Sequence, residues 1–168
     1  TYLTHGVHDK DRSHWLNRQP FDRMLATTPM EYEAVASDGS PYVFCDREVR
    51  RTGLPRHDNL LRLASQLRTE EVNWIIIMPT WRSRLAKIAA AGLTSTSCAE
   101  IEKSEYVQSW RSLLKNERLR DLARSYGKRL VFMPHPGAVS FLAAFKIPAD
   151  ISIITKKDMR IQDVFARA

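Results

Sequence analysis

The chain has 168 residues, 43% of them hydrophobic, and carries 26 lysines and arginines against 19 acidic residues, a formal charge of +7 at pH 7. That is apolar content enough for one domain or parts of two, and the positive field suits an anionic partner: nucleic acid, a phosphorylated substrate or an acidic membrane face. No apolar run approaches the about 20 residues needed to cross a bilayer, the N-terminus lacks the layout of a signal peptide, and Cys45 and Cys98 have no Cys-x-x-Cys spacing that would suggest a zinc site or a disulfide framework.

In chain order, residues 2–4 read as the end of a strand leading into the loop His5-Gly6-Val7-His8-Asp9-Lys10, and 24–26 as another short strand. Thr28-Pro29-Met30-Glu31 predicts a helix start, with Thr28 as cap, Pro29 in the first turn and Glu31 three residues on, as in a capping box. Residues 42–44 read as a further strand. The turn Thr52-Gly53-Leu54-Pro55-Arg56-His57-Asp58 follows, with Asp58 expected to cap a helix bearing Leu60, Leu61, Leu63, Ala64 and Leu67. The polar break at 69–72 is read as a domain boundary, giving domains 1–70 and 71–168.

The second part is more regular. The β-branched run NWIIIM at 73–78 predicts a parallel strand covered on both faces, stopped by Pro79. Residues 81–91 predict a helix, and Gly92 with the Ser/Thr-rich stretch 94–97 a loop. Ser104 opens a helix with Val107, Trp110, Leu113 and Leu114 on one face. The face resumes after Asn116 with Leu119, Leu122 and Tyr126, and Gly127 stops it. A strand at 129–133 ends at Pro134-His135-Pro136-Gly137. A short apolar helix (138–145), a strand (150–154) and a helix from about Arg160 complete the chain. This alternation argues for an α/β fold with a Rossmann-like parallel sheet. Ligands of such sheets gather at the carboxyl ends of the strands, so Thr80-Trp81-Arg82 and His135 are expected to face one crevice. Both ends of the chain read as cut from a larger enzyme.

The basic residues Arg111, Lys115, Arg118, Arg120, Arg124, Lys128 and Arg129 spread over helices beside Glu105, Glu117 and Asp121, the pattern of a solvated face. His5 is followed by Gly6, which lets a ligand approach the backbone; an imidazole there can take a proton from a hydroxyl near neutral pH, or can simply bond within a tight loop. His5, His8, Asp9, Asp11 and His14 are ordinary metal ligands, but their spacing matches no compact zinc motif. His135 is stiffened by its flanking prolines. Gly137 leads into a helix whose first amides suit a phosphate, the alternative being a turn whose histidine only packs. Arg82 could clamp a phosphate, with Thr80 offering a hydroxyl and Trp81 a stacking face. There is no Gly-x-x-x-x-Gly-Lys-Ser/Thr, Gly-x-Gly-x-x-Gly or Gly-x-Ser-x-Gly motif, which removes support for P-loop hydrolases, nicotinamide dehydrogenases and serine hydrolases.

His5-Gly6 near Lys10, Gly53-Leu54-Pro55-Arg56-His57-Asp58, Pro79-Thr80-Trp81-Arg82 and Pro134-His135-Pro136 occur in the order and approximate spacing of a known family. On these motifs, which span almost the whole chain, it resembles the CDP-glycerol glycerophosphotransferases, the teichoic acid polymerase family of bacteria. The resemblance implies a two-domain GT-B architecture with the site in a cleft between Rossmann-like halves, residues to about 70 on the acceptor side and the rest on the nucleotide side. It implies His5 and His135 as catalytic residues, and Thr80, Trp81, Arg82, Pro136 and Gly137 as donor-binding residues. Gly6, Lys10, Gly53, Pro55, Arg56 and Asp58 fall on the acceptor side. The implied reaction carries glycerol phosphate from CDP-glycerol to a hydroxyl of a polyol-phosphate or polysaccharide acceptor and releases CMP, without cofactor or metal and without nucleic acid as partner. The setting it implies is cytoplasmic, with the full-length protein on the inner face of an anionic membrane.

The sequence departs from the family in two places. The family's Thr-Asp-Tyr-Ser-Ser segment is expected just beyond Ala168, so the chain alone is expected to be inactive, and Val7-His8-Asp9-Lys10-Asp11 replaces the polymerases' Thr-Pro-Leu-Lys. The alternatives are a GT-B glycosyltransferase using a nucleotide sugar and a non-catalytic polyanion-binding module.

Overall fold

The computed structural model describes residues 1–3, 6, 7 and 10–168. Thr4, His5, His8 and Asp9 lie outside the described residues, and with them the expected catalytic role of His5 and most of the metal reading. The chain forms two compact units, Thr1–Asn59 and Leu60–Ala168.

In the first unit, helix α1 (Ser13–Leu16) is followed by strand β1 (Met24–Ala26), helix α2 (Pro29–Ala36) and strand β2 (Val49–Arg51). β1 and β2 pair in parallel, Met24 opposite Val49, and Tyr2 bridges to Met24. Leu16, Met24, Ala26, Val35, Phe44 and Val49 form the core. The predicted strand at 42–44 is not one. The side chain of Asn17 donates to Pro41 O (2.9 Å) and accepts from Val43 N–H (3.1 Å), so backbone groups that a ladder would use are satisfied by an amide side chain. Phe44 is buried all the same, and Val43 faces solvent.

The predicted cap of α2 is present with one shift. Thr28 Oγ1 accepts from Glu31 N–H (3.1 Å), while Glu31 Oε2 reaches one residue further back and accepts from both Thr27 N–H and Thr27 Oγ1–H, each at 2.6 Å. Glu31 is 4% exposed. Glu31→Ala would leave the Thr27 donors without that acceptor in a half-buried place, and is expected to destabilise the protein by about 1–3 kcal/mol in urea unfolding, with Glu31→Gln costing less.

Helix α3 (Arg56–Ala64) begins two residues before Asp58, which therefore lies in its first turn and does not cap it; none of the helix is buried. A 3-10 turn (Thr69–Glu71) precedes β3 (Trp74–Ile77). Helices α4 (Ser83–Ala90), α5 (Ser95–Lys103), α6 (Glu105–Lys115) and α7 (Glu117–Ser125) then lead to β4 (Arg129–Phe132). After a 3-10 segment (Pro136–Phe145) come β5 (Ser152–Ile153) and α8 (Ile161–Phe165). The sheet is parallel, in the order β3-β4-β5, with Ile77 opposite Phe132 and Phe132 opposite Ile153. The molecule is thus α/β with small parallel sheets.

Four expectations change here. The Ser/Thr-rich stretch at 94–97 is the start of α5, because Thr94 Oγ1 accepts from Ser97 N–H (3.2 Å) and Ser97 Oγ accepts from Thr94 N–H (2.7 Å), a reciprocal cap built from residues that also favour loops. The helix predicted from residue 81 starts at Ser83, leaving Trp81 and Arg82 in the loop after β3. The apolar segment after His135 is 3-10, broken at Phe141 (φ −117°, ψ 28°), in keeping with the short reach of regular 3-10 structure. Ile75 remains 38% exposed, so β3 is not covered on both faces.

Other local signals read directly. Ser104 and Asn116 cap α6 and α7 by accepting from Val107 and Leu119 N–H. Gly127, at φ +62°, ends α7, its N–H donating to Arg124 O (3.0 Å) and that of Lys128 to Ala123 O (2.8 Å), which a β-carbon at that φ would strain. The core of this unit joins Ile77, Leu130 and Phe132 of the sheet to Leu85, Ile101, Val107 and Leu114 of the helices and to Phe141 and Phe145. No helix among the described residues is long and apolar enough to cross a membrane.

Candidate functional site

A cleft of about 580 Å3 opens at the carboxyl ends of the parallel strands of the second unit. Met78, Pro79 and Thr80 come from the end of β3, Met133, Pro134, His135 and Pro136 from the end of β4, and Lys156, Arg160 and Ile161 from the segment after β5. Its size is that of a small-molecule site, and its position follows from parallel topology, which leaves a crevice where the chain turns away from each strand. Among the described residues no carboxylate lines it.

His135 is fixed on two sides. Its ring stacks on the indole of Trp81 with centroids 5.7 Å apart and planes at 15°. Its Nδ1 accepts the Gly137 N–H at 3.1 Å. A nitrogen that accepts cannot carry the hydrogen, so the neutral ring holds its proton on Nε2 and offers the cleft an N–H donor. Gly137 allows this closeness: a β-carbon there would lie 3.3 Å from Nδ1 and 3.8 Å from Ala86 Cβ. The same bond changes the expected phosphate cradle, because the Gly137 amide is taken by His135 and the Ala138 amide donates to His135 O at 2.7 Å.

Arg82 does not line this cleft. Its Nη1 donates to Thr80 Oγ1 (3.1 Å), its guanidinium lies over the Tyr106 ring (5.2 Å), and Tyr106 O–H donates to Thr80 O (2.6 Å). Burial pushes the Tyr106 hydroxyl up, against the pull of Arg82. Arg82, Tyr106, Glu105, Ser109 and Trp110 border a separate hollow of about 430 Å3. Of the expected donor residues, then, Thr80 and Pro136 share the cleft with the expected catalytic residue His135, Trp81 and Gly137 hold His135, and Arg82 turns to α6.

Lys156 and Arg160 are cleft residues that motif reading missed. Their signal is topological and not local: both follow the end of β5 as Thr80 follows β3 and His135 follows β4. Arg160 is engaged by Asp163 (2.7 and 3.2 Å), whose carboxyl it holds below the usual range. The loop before it is stapled by Asp158 Oδ2, which accepts from the Thr155 hydroxyl and the Thr155 amide (2.7 Å each) and is thereby held low as well.

In the first unit, Gly53 adopts φ +77° in the turn before α3, where a β-carbon would be strained. Arg56 Nη2 lies 3.7 Å from where a β-carbon on Gly6 would be, which brings Gly6 and the Pro-Arg turn together. Asp58 is one turn inside α3. Lys10 borders a shallow hollow with Asp11, His14 and Trp15. Asp11 accepts from Ser13 N–H (2.8 Å) and His14 Nε2 lies 3.1 Å from Arg18 Nη2, so each has a partner within the protein. No group of three metal-ligating side chains occurs among the described residues. Both cysteines are free and exposed. The dispersed basic residues mostly have partners: Arg120 pairs with Asp150, Arg124 with Asp121, Arg111 with Glu102, and Lys128 Nζ donates to Val72 O.

Over 137 residues, 80% of its length, the chain is 30% identical to the minor teichoic acid biosynthesis protein GgaB of Bacillus subtilis. It is similar to a teichoic acid protein. The chain spans 14% of the length of that relative. No model of a protein family and no solved structure matches it. The aligned share of the chain is large enough to include residues of the second-unit cleft, whichever end is left out.

Proposed function

We propose that this chain is part of a transferase of GT-B architecture that moves glycerol phosphate from CDP-glycerol to a hydroxyl of a growing cell-surface polymer and releases CMP. The observation that carries the reading is the cleft at the ends of β3, β4 and β5, with His135 held between Trp81 and the Gly137 amide and no carboxylate in the lining. Such a site favours an anion next to a flat or apolar group, the chemistry of a nucleotide ester. Similarity to a teichoic acid biosynthesis protein supports the polymer as acceptor.

In the proposed step the acceptor oxygen bonds to the glycerol-bearing phosphorus, the bond from that phosphorus to the bridging oxygen breaks, and its electron pair leaves with CMP. His5 takes the acceptor's proton. His135 Nε2–H donates to the leaving phosphate, where charge develops and a fixed donor counts most. Thr80 adds a hydroxyl. Trp81 and Gly137 act through His135, and Arg82 acts through the Thr80 hydroxyl that it bonds. Gly6, Lys10, Gly53, Pro55, Arg56 and Asp58 serve the acceptor side. The net charge of +7 supports peripheral binding of the full-length protein to anionic lipid on the cytoplasmic face.

The test is product identity. Full-length protein given CDP-glycerol and a polyol-phosphate acceptor is expected to release CMP in step with acceptor extension. Release of a nucleoside diphosphate from a nucleotide sugar, with CDP-glycerol inert, would replace this reading with a glycosyltransferase.

A further inference from the structure

We infer that Lys156 is the residue that binds the anionic group of the cleft's ligand, a role the motifs would give to Arg82. The inference rests on the proposed reading of the cleft as a nucleotide-ester site. A bound phosphate needs a cation whose charge is not already spent on the protein. The cleft lining contains two basic side chains, Lys156 and Arg160. Arg160 is answered by Asp163 through two hydrogen bonds, so it brings geometry and little net charge. Lys156 has no carboxylate partner among the described residues, and it lies in the cleft wall.

Its placement is built. Thr155 N–H and Oγ1–H both donate to Asp158 Oδ2, Lys157 N–H donates to Thr155 Oγ1 (3.3 Å), and Asp158 N–H donates to Thr155 O (3.0 Å). These bonds close a tight turn around residue 156 and hold its backbone at the end of β5, across from His135 at the end of β4. A flexible ammonium on a fixed stem beside a fixed imidazole N–H suits a phosphate with several oxygens, while Met78, Met133 and Ile161 give the same cleft apolar wall for a base or another flat group. Arg82, bonded to Thr80 and spread over Tyr106, borders a different hollow.

The test is calorimetric titration of full-length protein with CDP-glycerol, cytidine and inorganic pyrophosphate, in the wild type and in Lys156→Met, Lys156→Arg and Arg82→Met. Loss of one charge-assisted contact is expected to weaken CDP-glycerol and pyrophosphate at least about tenfold in Lys156→Met, with cytidine within about twofold. Lys156→Arg is expected to recover most of the loss, and Arg82→Met, which reaches the cleft only through the Thr80 hydroxyl, to weaken CDP-glycerol less than Lys156→Met does. CDP-glycerol binding unchanged in Lys156→Met, or weakened in step with cytidine, overturns the inference, as does a larger loss in Arg82→Met. Wild type that ignores cytidine compounds but binds pyrophosphate through Lys156 overturns the CDP-glycerol reading and upholds the lysine. Wild type that binds none of these probes overturns both.

Discussion

Replacing His135 by alanine is expected to lower turnover of the full-length protein at least about a hundredfold while leaving it folded. The ring is exposed at the cleft, so its removal opens no cavity in the core; what is lost is an N–H donor aimed at the leaving phosphate. The bond from the Gly137 amide to Nδ1 gives this prediction a finer form. A glutamine can bring an amide N–H to about the reach of Nε2, whereas an asparagine can accept the Gly137 amide but falls short of the cleft. If His135 works as a donor, His135→Gln should retain clearly more activity than His135→Asn, and His135→Asn no more than His135→Ala. A histidine working as a base would give three equally poor variants, since no carboxamide accepts a proton at neutral pH. Ring 15N shifts of the free protein are expected to report the Nε2–H tautomer. His5→Ala is expected to cost a comparable factor, through the acceptor's proton; near-normal glycerol phosphate transfer by both alanine variants would end the assignment of this pair.

The ends of β3 and β4 could be read in advance because strand and stop signals are both local: short apolar runs closed by Pro79 and Pro134, each followed by a polar side chain. Topology then does the rest, since parallel strands put their carboxyl ends on one edge. Three things escaped for want of local signals, and one through misreading. Arg82 chooses between the cleft and Tyr106, a ring 24 positions along the chain, and nothing near Arg82 records that choice. Lys156 looks like any surface lysine until β5 is laid beside β4. Residues 42–44 alternate Tyr-Val-Phe as a strand would, yet the side chain of Asn17 takes up the backbone groups that a neighbouring strand would need. Thr94 is the misreading, because a reciprocal cap and a polar loop draw on the same residues, and only the spacing to Ser97 separates them. The resemblance-level expectations for the site depend on side-chain direction more than on sequence position, and direction is where the structure reallocates roles.

The largest expected loss of stability comes from Phe145→Ala. Phe145 is fully buried, and its ring meets Phe132 at 5.3 Å, Tyr106 edge-on at 6.0 Å and Phe141 at 6.1 Å. Those partners belong to the central strand, to α6 and to the 3-10 segment that begins beside His135, so one side chain ties the sheet to α6 and to the segment that follows the cleft histidine. Truncation removes the burial of an aromatic ring and leaves a cavity bounded by stiff rings that cannot easily collapse into it, at a cost of about 3–5 kcal/mol. Against the roughly 5–15 kcal/mol that holds an ordinary domain folded, this brings the second unit close to unfolding at physiological temperature. Urea titration should show a lower midpoint with little change in slope, and Phe145→Leu, which refills part of the space, should fall between the variant and the wild type. Any loss of transfer activity in Phe145→Ala should follow the folded fraction and recover on cooling toward the temperature of greatest stability, whereas the loss in His135→Ala should persist at every temperature where the protein is folded. A cost below about 1 kcal/mol would mean that these rings do not form the core that supports the cleft.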